Sequence, residues 1–167
     1  SLIVGHEPFK KNIFLSNYLK NFKNRFIIFN VKEEGIEKKI FNLIKKKKIK
    51  NYFFLDVNIP TILKNLKKKE YPNLCLRISK YEKIENLDYF KNKIRWIWVD
   101  SFDNKIPLSV KQIQNLSKKF KLCLVSPELI DNKNYNISKF VAINKKKLDY
   151  FTAVCTKQVL TWNDYGY

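Results

Sequence analysis

The stretch Arg95-Trp96-Ile97-Trp98-Val99-Asp100 is apolar without a break from Trp96 to Val99 and stops on a carboxylate. A strand that alternates apolar and polar residues has one wet face. An unbroken apolar run has none, and its usual setting is a parallel sheet covered on both sides. The same construction recurs outward in both directions. Toward the N-terminus stand Leu74-Cys75-Leu76 closing on Arg77 and Ser79, and Tyr52-Phe53-Phe54-Leu55 closing on Asp56 and Asn58. Before them comes Phe26-Ile27-Ile28-Phe29, closing on Asn30 and Lys32. Toward the C-terminus follow Leu122-Cys123-Leu124-Val125, closing on Ser126 and Glu128, and Phe151-Thr152-Ala153-Val154-Cys155, closing on Thr156 and Lys157.

Helical patterns fill the intervals. Ile36, Ile40, Leu43 and Ile44 form one apolar stripe and predict a helix over 37–48, after a turn at Gly35. Pro60 suits the first turn of the next helix, which would turn Ile62, Leu63 and Leu66 inward. Leu87 and Phe90 mark a helix over 84–92. Val110, Ile113 and Leu116 mark another after Pro107, with Ser109 near its start, and a looser one covers 138–147. Ahead of all these the pattern predicts a short strand at 2–4 and a helix over 14–21. The strands expected are 25–32, 51–57, 73–79, 95–102, 121–127 and 149–156.

Strands joined by single helical stretches take right-handed crossovers and lie parallel. The expected fold is therefore α/β of the (β/α) TIM-barrel type, in one domain over 1–167, with the polar strand ends converging where such a barrel builds its active site. A complete barrel takes about 250 residues and at least roughly 200. The 167 residues here hold about six βα units, too few to close. The sequence starts at a serine and contains no Met, so an N-terminal portion is expected to be missing.

The net charge of +19 raises a nucleic-acid partner. Its form argues against a specific one, because nearly all of it is Lys, with Arg only at Arg25, Arg77 and Arg95. Phosphate and base recognition favours the Arg fork. The lysine runs at 45–48, 67–69 and 145–147 fall late in helical patterns, where they suit the helix dipole and a solvated face. Attraction to an anionic membrane surface stays open. Cys75, Cys123 and Cys155 lie in apolar strands without CxxC spacing, which reads as reduced, buried thiols and a cytoplasmic protein. No apolar run approaches the ~20 residues of a membrane span.

His6, the one histidine, stands in Val4-Gly5-His6-Glu7-Pro8, on a turn at the end of a short strand. There an imidazole can give or take a proton. This segment, followed by Ile28-Phe29-Asn30-Val31-Lys32, resembles the glycerophosphodiester phosphodiesterases, a family of phospholipase-C-like TIM-barrel enzymes. The resemblance extends over the chain as its C-terminal portion and implies that the first two barrel strands are absent. In that family a His-Asp carries a catalytic histidine, and a Glu-Ile-Lys strand supplies a metal ligand and a lysine near the phosphate.

By resemblance, His6 and Lys32 are the catalytic pair. Glu7, in the Asp place, and Asn30, in the Glu place, are the ligands of a divalent cation, Ca²⁺ or Mg²⁺. Arg77, Asp100, Ser126, Glu128 and Lys157 would line the mouth and select a small phosphodiester. The family's His-Arg and Glu-x-Asp motifs are not found in these residues, and Asn30 offers a metal only a neutral oxygen. The expected activity is phosphodiester hydrolysis, with this stretch alone inactive. The alternative is a non-catalytic, barrel-derived protein that binds a phosphorylated or polyol ligand. Arg77 with Asp100 has a second reading as a structural salt bridge.

Overall fold

The computed structural model describes residues 2–5, 12–23, 25–131 and 134–167. His6 and Glu7 lie outside them. The chain divides into two compact units, Ser1–Leu74 and Cys75–Tyr167.

The first unit opens on a short hairpin. Strands β1 (Ile3–Val4) and β2 (Ile13–Phe14) pair antiparallel, Ile3 opposite Phe14. A helix was expected from residue 14, but Phe14 belongs to β2, and only α1 (Leu15–Tyr18) and a 3₁₀ turn at Leu19–Asn21 are helical. The pairing decides this. Once Ile13-Phe14 has a partner strand, the Leu15 N–H is fixed on the Leu2 carbonyl at 3.0 Å and the helix can begin only there. Next come β3 (Ile27–Asn30), α2 (Glu37–Lys46), β4 (Tyr52–Leu55) and α3 (Ile59–Lys68). Strands β3 and β4 are parallel, with Ile27 against Tyr52 and Asn30 against Leu55. A parallel bridge joins Phe54 to Leu74. Asn58 caps α3, accepting the Thr61 N–H at 2.8 Å, and Pro60 sits in the first turn as anticipated.

The core of this unit is aromatic. The Phe54 ring lies 5.9 Å from Phe29, 5.7 Å from Tyr52 and 5.5 Å from Tyr71. Burial, helped by the charges of Glu37 and Glu70, pushes the Tyr71 phenol up to about 12. Buried Asn65 serves the same loop: its amide nitrogen donates to the Tyr71 carbonyl at 2.6 Å and its oxygen accepts the Tyr71 N–H at 3.0 Å. Asn65→Leu should therefore cost about 1–3 kcal/mol, the toll of two stranded backbone groups. Chemical denaturation would check it, and an unchanged midpoint would show that water replaces the amide.

The second unit is a parallel sheet in chain order. It contains β5 (Cys75–Ile78), α4 (Leu87–Phe90), β6 (Trp96–Val99), α5 (Val110–Ser117) and β7 (Lys121–Val125). These are followed by α6 (Ile137–Leu148), β8 (Ala153–Cys155) and α7 (Val159–Asn163). The strands run β5-β6-β7-β8, all parallel, so the alternation of parallel strands and helices stands as expected. Every residue of β6 is buried, Trp96 and Trp98 included, which is what the unbroken run demanded. Ser109 and Gln112 close a capping box on α5.

The helix expected over 84–92 shrinks to α4, because Asn86 and Asn92 take left-handed backbone with φ of 54° and 64°. Asparagine tolerates that region and so punctuates the helix at both ends. The strand expected to reach residue 102 stops at Val99, and Phe102–Asn104 forms a 3₁₀ turn. The strand expected from residue 149 starts at Ala153, since Asp149 caps α6.

Cys75 and Cys123 are buried free thiols, whereas Cys155 is only half-buried. Burial chiefly, with Cys155 beside it, pushes the Cys123 thiol up to about 12. Burial first and the Glu128 charge second raise that of Cys155. Neither is a thiolate at neutral pH, so both should resist alkylation at pH 8 until the chain unfolds. A raised thiol pKa adds stability in full below the unfolded value near 9, and that stability is lost as pH climbs toward 12. A denaturation midpoint that did not fall between pH 9 and 11 would contradict this.

Candidate functional site at the carboxyl ends of the strands

In the second unit each parallel strand is followed by a polar group, and most of these groups fall into two hydrogen-bonded sets. Arg77, within β5, places its Nε 2.7 Å from Asp100 Oδ2, just past β6. Asp100 Oδ1 accepts the Trp98 indole N–H at 3.0 Å, and the Asp100 N–H reaches the Ile78 carbonyl at 3.0 Å. The Asp100 side chain is 2% exposed and that of Arg77 33%. Glu82 lies 3.5 Å from the same Nε. Ser101 closes the next gap, donating to the Val125 carbonyl at 2.7 Å.

Beyond β7, the chain turns through a 3₁₀ segment at Pro127–Leu129 that buries Glu128. Its carboxylate accepts the Ser126 and Thr156 hydroxyls and the Lys157 N–H, the last at 3.0 Å. Ser126 in turn accepts the Trp162 indole N–H at 2.8 Å. A buried carboxylate with three donors has its charge compensated without a cation. Lys157 is exposed, and its backbone rather than its ammonium serves Glu128.

The first unit carries a second cluster. Lys32, two residues past β3, extends its ammonium to Asp56 Oδ2 at 2.7 Å, just past β4. Lys32 is 69% exposed and Asp56 15%. Asp56 takes left-handed backbone, φ 61°, a conformation a non-glycine residue adopts at a cost. Next to it the Asn58 amide donates to Glu34. Asn30 closes β3 with an exposed side chain.

The structure thus brings Arg77 together with Asp100, and Ser126 with Glu128 and the Lys157 backbone. It pairs Lys32 with Asp56 and leaves Asn30 at a strand end. Trp162 and Thr156 were not foreseen as parts of the site. Thr156 could be read as a strand terminator, but a helix after it carries too short a pattern to announce where its one indole points.

Among the described residues no group of three or more His, Cys, Asp or Glu is placed to hold a metal ion. Asp56 is engaged by Lys32, and Asn30 is neutral. These residues do not fit a Ca²⁺ or Mg²⁺ site by themselves. No protein family, characterised protein or solved structure matches this chain. No helix among the described residues is long and apolar enough to cross a membrane.

Proposed function

We propose that this chain is part of a TIM-barrel phosphodiester hydrolase resembling the glycerophosphodiester phosphodiesterases, which convert a glycerophosphodiester and water to glycerol phosphate and an alcohol. The observation that carries the reading is the Lys32–Asp56 pair at the carboxyl ends of two neighbouring parallel strands. An ammonium has three donors, and Asp56 takes one direction of approach. The rest can face the oxygens of a phosphate, where charge develops as water adds to phosphorus and the P–O bond to the alcohol breaks.

His6 would hand its proton to the departing alkoxide. By the same resemblance, Arg77 and Lys157 would select a small anionic substrate. Sequential strand order supports the barrel: right-handed crossovers put successive helices on one face, yet β6 is buried on both, as a curled sheet requires. The setting we infer is cytoplasmic.

A specific observation favours the second reading, a non-catalytic protein binding a phosphorylated or polyol ligand. Asp100 and Glu128 have both carboxylate oxygens committed to neighbours, which suits a site built to hold rather than to transfer protons. The test is hydrolysis of glycerophosphodiesters by the longest open reading frame that contains these residues, with Ca²⁺, with Mg²⁺ and with chelator. Metal-dependent turnover is expected, reduced by about 10²–10³ in Lys32→Ala, while residues 1–167 alone stay inactive. Absence of turnover together with saturable binding of glycerol phosphate would establish the second reading instead. Unchanged turnover in Lys32→Ala would remove the lysine from the mechanism.

A further inference from the structure

The lysines of the first unit are concentrated toward one end of its parallel strands. Between Glu7 and Glu33 the sequence has no acidic residue, nor has it any over 38–55 or 59–69. The fold brings many of the basic residues of these stretches to one end, while Lys32, Lys38 and Lys39 lie at the other. Helices α2 and α3 each run back from the carboxyl end of a strand, so both finish at the amino ends of the parallel strands they serve. Lysines 45–48 and 50 occupy the last turn of α2 and the connection into β4. Lysines 67–69 end α3, and Lys48 after α2 and Lys69 after α3 turn the chain with left-handed φ of 53° each. Lys23 and Arg25 precede β3 at the same end, and all of these cations are exposed. Among them stands Phe26, 48% exposed, its ring braced edge-on against Phe53 at 5.5 Å.

We propose that this amino-end rim is a docking surface for an anionic phospholipid bilayer. Charge complementarity selects the occupant. A rim of ammonium groups in which Glu70, next to Lys69, is the one acidic neighbour in sequence matches the diffuse negative potential of mobile headgroups, and each cation adds to the attraction. Lysines are point charges suited to that field, whereas a nucleic acid's fixed phosphates and base edges favour Arg forks, and the rim holds Arg25 alone. A half-exposed aromatic ring within a basic rim fits the headgroup boundary, where amphipathic and aromatic side chains settle. A stacking surface for single strands would instead offer several rings in succession. The parallel strands fix the consequence: with the rim on lipid, Lys32 and Asp56, at the opposite strand ends, face water.

The test uses sedimentation of the 167-residue chain with vesicles of phosphatidylcholine alone or with 30% phosphatidylserine, from low to high salt. Binding is expected only with phosphatidylserine and should fall steeply with salt. Changing Lys45, Lys46, Lys47 and Lys48 together to Gln should weaken it by about a hundredfold or more. A control that removes the same charge from the second unit, Lys111, Lys118, Lys145 and Lys146 to Gln, should change it by less than about threefold. Circular dichroism confirms that both variants remain folded. Phe26→Trp should show a blue-shifted emission on phosphatidylserine vesicles, quenched by brominated acyl chains. Equal losses in the two quadruple variants would overturn the proposal in favour of net charge alone. No sedimentation with phosphatidylserine, or tighter binding to duplex RNA at the same salt, would overturn it as well.

Discussion

Trp162→Ala is expected to destabilise the second unit by about 3–5 kcal/mol, the range for emptying a buried aromatic site. The ring is 1% exposed and contacts Phe140 and Tyr167 edge-on at 6.3 and 5.8 Å. Its indole N–H is also the donor that fixes Ser126 over Glu128. At roughly 2–4 °C per kcal/mol for a chain of this size, the midpoint should drop by about 6–20 °C. Trp162→Phe separates the two contributions. It keeps most of the packing and removes only the hydrogen bond, so it should cost about 1 kcal/mol. Near-equal losses in both variants would mean that the indole donor, not the buried area, anchors α7. The converse result, no loss in Trp162→Ala, would show that α7 does not cover the strand ends.

The second large effect concerns catalysis. Under the proposed function, His6→Ala should lower kcat by on the order of 10²–10⁴ toward alkyl glycerophosphodiesters, the usual worth of a positioned acid. An acid matters in proportion to the basicity of the group that leaves. An alkoxide is a poor leaving group and needs its proton in the transition state, whereas a nitrophenolate does not. The same variant should therefore cleave a nitrophenyl phosphodiester with little loss, and added imidazole should restore part of the alkyl activity. Equal losses on both substrates would assign His6 to positioning the phosphate rather than to proton transfer. Full activity on both would take His6 out of the reaction.

Much of the architecture was legible because burial on two faces leaves a plain mark. The runs around Phe53, Ile97 and Leu124 contain no residue that tolerates water, and each is a central part of a parallel strand. The start of α5 was legible for a local reason: Ser109 bonds a backbone group three residues away, and proximity in sequence guarantees proximity in space, whereas Asn58, read as closing a strand, caps α3 in the same way. The opening hairpin was not. Ile13-Phe14 continues smoothly into an apolar helical pattern, and only the presence of Ile3-Val4 beside it makes it a strand.

The candidate site divides along the same line. Sequence alone determined which polar residues stand at strand ends, since the run of apolar residues must stop where the strand leaves the sheet. Thus the sequence itself marks Lys32, Asp56, Asp100, Ser126 and Glu128 as residues that close apolar runs. Tertiary structure alone decided their partners. Arg77 and Asp100 are 23 residues apart, as are many pairs that never meet, and the parallel register of β5 on β6 brings their side chains to 2.7 Å. Lys157 offers Glu128 its backbone and not its charge, while Trp162 crosses 36 residues of sequence to reach Ser126. Periodicity records which face of an element avoids water; which buried hydrogen-bond donor meets which acceptor depends on register and crossover, and neither is written in any local stretch of the chain.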